Sequence, residues 1–160
     1  MTERFKKAYD RLVKAYITNG LMANDCTACA VGNMCDDKGW FRAVLDFREK
    51  VEVIRTINNN TGYSIEELSQ IEYTFEKNTH YKKEGYYSTP DRIVWCRDDS
   101  PLDFIKETPE FMSKLADDQF NGLKAVIELL MSFDKMSGEP DMTPFDKNQK
   151  LKAYEKAQQT

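Results

Sequence analysis

The chain has a single histidine, His80, and no run of Lys and Arg dense enough to form a basic patch. The first scarcity argues against chemistry built on imidazole pairs. His80 sits in the polar segment KNTHYKKEG with no helical partner four residues away, so an H-E-x-x-H zinc helix and a Cys/His pair both lack local support, and a solvent-exposed histidine is the reading. The second scarcity, with a formal net charge of −4, leaves no electrostatic footprint for double-stranded nucleic acid, whose binding leans on phosphate neutralisation. No stretch approaches the roughly 20 apolar residues of a membrane span. The phosphate-cradling patterns G-x-x-x-x-G-K-S/T and G-x-G-x-x-G do not occur, nor does any internal repeat or low-complexity segment. These absences predict a cytoplasmic protein with reduced thiols, no membrane contact and no conventional catalytic constellation.

What is present is the material of one folded domain. At 160 residues, a globular chain buries roughly 70% of its extended-chain surface, enough for a core without staples. With 41% apolar and 12% aromatic residues the chain is too hydrophobic for a disordered protein. The patterning predicts a mainly α fold, a single helical domain of about five or six helices with at most a short strand pair. Residues 1–145 form this domain, with a Cys-rich turn at 20–39 and an irregular insertion at about 79–116, and 146–160 read as a polar tail, at most a loose helix.

From Thr2 to about Asn19, Phe5, Ala8, Tyr9, Leu12, Val13, Tyr16 and Ile17 recur at helical steps, ending at Asn19-Gly20. Trp40, Val44, Phe47, Val51 and Ile54 predict a second helix, although VEVIRTI also alternates like a strand. In GYSIEELSQIEYTFEKN, Ser64 and Glu67 make a capping box, Tyr63 is placed to staple onto Leu68, and Leu68, Ile71 and Phe75 form the core face. Residues between Asn78 and Pro101 read as a loop with one short strand at IVWC. A last long helix carries Phe120 to Phe133, with Asp117 or Asp118 as its cap and a separate short helical piece before it at Leu102 to Leu115.

The residues with the most chemical content are Cys26, Cys29 and Cys35, in DCTACAVGNMC, with Cys96 far downstream. Three uses compete for them. The C-x-x-C pair with Cys35 and Cys96 supplies four thiolates for one zinc ion or an iron–sulfur centre, although the second pair is split by about 60 residues. Alternatively, Asp25 caps a short helix whose dipole lowers the pKa of Cys26 and Cys29 for redox work, which would need a strand that the preceding helix does not provide. The third use, and the leading one, is packing, with small thiols set beside Ala28, Ala30 and Val31 in the core.

Other candidates are weaker. Asn59, Thr61 and Gly62 outline a calcium loop, but that register puts Ile57 first and Leu68 last, where acidic ligands are needed. The pairs Asp36-Asp37, Asp98-Asp99 and Asp117-Asp118 read as caps and solvated turns before they read as catalytic acids. Tyr81, Tyr86, Tyr87 and Trp95 cluster in the insertion and are residue types favoured as anchors in binding surfaces, or equally as a lid on the core.

With CTACAVGN, a tryptophan soon after, GYSIEELSQIEYTFE and FNGLKAVIELLMSFD in this order, the chain resembles a family of small, uncharacterised bacterial and phage-associated proteins. That family is often labelled as a component of the sodium-translocating NADH:quinone reductase. The resemblance spans about two thirds of the chain, from the first helix to Asp134, and carries no established activity. The label implies a membrane-anchored flavoprotein with a ferredoxin-type cluster. Plant-type clusters use C-x4-C-x2-C, whereas here C-x2-C is followed by five residues and Cys35, and 160 residues leave no room for flavin and nicotinamide domains, so reductase function is not expected. The sequence therefore favours a non-enzymatic binding or regulatory protein with a protein partner, the alternative being a metal protein using Cys26, Cys29, Cys35 and Cys96.

Overall fold

The computed structural model describes residues 1–21, 29–35, 51–78, 81–83, 86–88, 93–95 and 109–159. Helix α1 (Glu3–Ile17) starts where Thr2 accepts the Phe5 N–H, and its core face is Phe5, Ala8, Leu12, Ala15 and Tyr16. It stops in a Schellman turn. Asn19 takes φ of +60°, the Gly20 N–H reaches the Ala15 carbonyl at 2.8 Å and the Asn19 N–H reaches that of Tyr16 at 3.3 Å. A short helix α2 (Ala30–Met34) follows, and then α3 (Val51–Thr61), so VEVIRTI is helical rather than extended. The earlier part of the expected second helix, from Trp40, lies outside the described residues.

Helix α4 (Ile65–Glu76) carries both halves of the capping box: Ser64 accepts the Glu67 N–H at 3.1 Å and Glu67 accepts the Ser64 N–H at 2.9 Å. Leu68, Ile71 and Phe75 are fully buried, and Tyr63 just before the helix is buried with them. Three strands, β1 (Tyr81–Lys83), β2 (Tyr86–Ser88) and β3 (Ile93–Trp95), form an antiparallel sheet in that order. The fold is mainly helical, but the sheet has one strand more than the single pair expected. Segments of three residues are too short to show a period, and β1 is the polar run YKK.

The longest of the described helices, α5 (Pro109–Phe133), corrects two further expectations. Asp117 and Asp118 cap nothing, because the helix runs through them, and the piece expected at Leu102 to Leu115 is in its described part the first turns of α5. Pro109 suits a first helical position, and Met112, Ala116, Gln119, Leu123, Val126, Ile127, Leu130 and Met131 continue one buried stripe along it. Within the segment read as a polar tail, α6 (Lys147–Gln158) starts at Asp146, which accepts the Asn148 and Gln149 N–H groups. It packs on α1 and α5. Helix α4 lies against α5 and α2, and α1 touches α2, α3, α5 and α6, so α1, α4 and α5 enclose the core. Phe145 closes it from the last turn, edge-on to Tyr9 and Tyr16.

Candidate functional site

The strand register arranges the aromatic residues of the insertion. Tyr86 lies opposite Trp95, Tyr81 opposite Ser88, and Tyr87 opposite Val94. Directly opposed residues share a face and neighbours along a strand alternate. Tyr81, Tyr86 and Trp95 therefore hold register positions on one face, together with Lys83, and Tyr87 belongs to the other. Four residues that the sequence groups as one patch divide three to one. Among the described elements, the close packing partners of the strands are one another, while the helices pack among themselves.

The cysteines take different surroundings. Cys29 is fully buried in the core with Ala30 and Val31, and its sulfur accepts the Gly32 N–H at 3.4 Å as the N-cap of α2. The helix begins one residue after it, so Cys29 does not stand in a first turn capped by Asp25. Burial dominates its titration and pushes the thiol up from 9.0 to about 12, against the lowering effect of the Gly32 N–H. The redox reading needed the opposite shift. Cys35, at the far end of α2, is half-buried against the core. Cys26 and Cys96 lie outside the described residues, and among the described residues no three His, Cys, Asp or Glu side chains are grouped to hold a metal ion. A thiol raised to about 12 carries about a thousandfold less thiolate at neutral pH than one at 9.0. Alkylation followed by mass spectrometry is therefore expected to modify Cys29 only after unfolding.

His80, Asp36-Asp37 and Asp98-Asp99 also lie outside the described residues. Asp117 is an exposed residue paired with Lys147 at 2.8 Å across α5 and α6. In place of a calcium loop, Thr61 and Gly62 close α3: Thr61 donates its hydroxyl to the Ile57 carbonyl, and Gly62 takes φ of +79°.

Two polar junctions had no signal in the sequence. At the first, Arg4 donates to both the Asp134 carboxylate, from Nε at 2.8 Å and Nη2 at 2.5 Å, and the Gly62 carbonyl at 2.8 Å. Its guanidinium lies 4.4 Å from the Tyr63 ring centroid. Burial of Asp134 pushes its pKa up, but the hydrogen bonds from Arg4 and Thr2 and the Arg4 charge outweigh that and hold the carboxyl below 3.8. Arg4 is raised in return, chiefly by its hydrogen bond to Asp134. This junction ties α1, the α3–α4 turn and the end of α5 together. At the second, Lys150 of α6 is 1% exposed, and its Nζ donates to the Tyr16 carbonyl at 3.2 Å. A surface cleft lined by Glu3, Lys6, Lys7, Asp10 and Arg11 adds no catalytic grouping, because Lys7 and Arg11 donate to the terminal carbonyls of Asn60 and Met34.

Among the described residues, no helix is long and apolar enough to cross a membrane. No protein-family model, no curated protein and no solved structure matches this chain.

Proposed function

We propose that the protein is a small cytoplasmic binding or regulatory module, phage or mobile-element encoded as its sequence resemblance suggests, which works without catalysis by docking another protein on the β1–β3 sheet. The observation that carries this reading is the register that puts Tyr81, Tyr86 and Trp95 on one face of a sheet whose strands, among the described elements, have one another as their close packing partners. Tyr and Trp supply large contact areas at low entropic cost and dominate protein interfaces. A sheet of three-residue strands also gains much from a partner that covers it. The described polar groups fit a non-enzymatic role: those of Arg4, Asp134, Lys7 and Arg11 are engaged in holding helices together.

The test compares wild type with a Tyr86→Ala/Trp95→Ala double variant in quantitative cross-linking from cells. A protein enriched by wild type should be lost from the double variant, with affinity lower by at least about 30-fold for a loss of about 2 kcal/mol at one anchor. The helical circular dichroism should be unchanged. Retention of every wild-type partner by a folded double variant would overturn the reading, and Tyr87→Ala, on the other face, should bind as wild type does.

A further inference from the structure

Helix α6 is held to the rest of the protein in an unusual way. A helix docked on a core commonly buries Leu or Ile on its inner face. In α6 the one fully buried side chain is Lys150, with Leu151, Ala153 and Tyr154 only half-buried. The amine donates one hydrogen bond, to the Tyr16 carbonyl, and lies 4.8 Å from the Tyr16 ring centroid. None of the described ion pairs includes it. An ammonium brings three N–H groups and a full charge into this site, whereas a neutral amine brings two N–H groups and no charge.

None of the described ion pairs or hydrogen bonds brings an acidic group to that charge. From α1, the Tyr16 hydroxyl donates to the Ala116 carbonyl at 3.2 Å, and burial pushes it up to about 12. From α5, Asp117 is paired with Lys147 at 2.8 Å. At the start of α6, the Asp146 carboxylate accepts the Asn148 and Gln149 N–H groups. The Asn19 side chain donates to the Lys150 carbonyl rather than meeting the amine.

We propose that α6 is a proton-weighted strap: it docks on α1 and α5 more tightly when the Lys150 amine is neutral than when it is charged, and it opens locally, ahead of the rest of the fold, as the amine takes up its proton. Opening uncovers the Tyr16 face of α1. The titration agrees with the geometry, since burial pulls Lys150 from 10.5 down to about 8. The docked state therefore carries its full penalty below about pH 8 and sheds it as pH rises toward 10.5. Between pH 7 and 9 the opening constant of α6 falls about tenfold. Strap opening does not depend on what the sheet binds.

Millisecond-quench hydrogen exchange on the full chain, corrected for intrinsic rates and referenced to α5 amides, tests the strap. In wild type, α6 protection relative to α5 should rise about tenfold from pH 7 to 9. Lys150→Met, which keeps the volume and removes the proton, should give high α6 protection that no longer changes with pH. Asp117→Asn, which breaks the neighbouring ion pair, should keep the wild-type trend. A flat wild-type ratio would overturn the proposal, as would a pH trend that persists in Lys150→Met or vanishes in Asp117→Asn.

Discussion

Phe75→Ala is expected to destabilise the protein by about 3–5 kcal/mol, the range for removing a buried aromatic side chain from a packed core. Phe75 is fully buried on α4, the helix that lies against both α5 and α2. Its neighbours along α4, Leu68 and Ile71, are also fully buried, so the face has no loose side chain that can swing into the space. The loss combines the transfer energy of a phenyl ring with the cost of a cavity that a rigid three-helix junction cannot close. Urea denaturation monitored by circular dichroism measures it: the midpoint should fall with the m value unchanged. A shift under about 1 kcal/mol would mean that the α4–α5 contact can relax into the gap.

Gly62→Ala is the second large effect, expected at about 2–4 kcal/mol. Gly62 ends α3 at φ of +79°, a left-handed conformation that a side chain disfavours. A Cβ there would also stand 2.7 Å from the Arg4 Cβ, and that atom cannot swing aside because it is fixed to the α1 backbone. Helix α1 would have to move, and with it the bonds from Arg4 to the Gly62 carbonyl and to Asp134. The strain and the broken junction are separable. In a variant that already carries Arg4→Ala, Gly62→Ala still creates the first but has less of the second left to lose, so its cost should be smaller in that background. Equal costs in the two backgrounds would show that the backbone strain acts alone.

What the sequence made legible was local. The Ser64–Glu67 box needs residues three apart, and the α1 stripe repeats within one turn, so each is complete inside its own segment. The start of α5 was obscured because Asp117-Asp118 has the composition of a cap, while what continues the helix is Met112 and Ala116 on the opposite, buried face. Helix α6 has no apolar stripe to read, since its buried position is a lysine. The tyrosine patch was found by composition, but its division into two faces depends on a strand pairing that segments of three residues do not announce. Arg4 and Asp134 stand 130 residues apart, and neither is distinguishable from a surface charge without the fold that brings them together.

The same separation bears on how the chain is made. Helix α1 is synthesised well before the groups that fasten it: Asp134 lies 130 residues after Arg4, and Lys150 lies 134 residues after Tyr16. At about 5–20 residues per second, synthesis leaves the apolar face of α1 without these partners for several seconds to tens of seconds. During that interval Phe5, Leu12 and Tyr16 are open to chaperones and to other nascent chains. Native closure of the core therefore waits until α5 and α6 have been made, however early α1 forms.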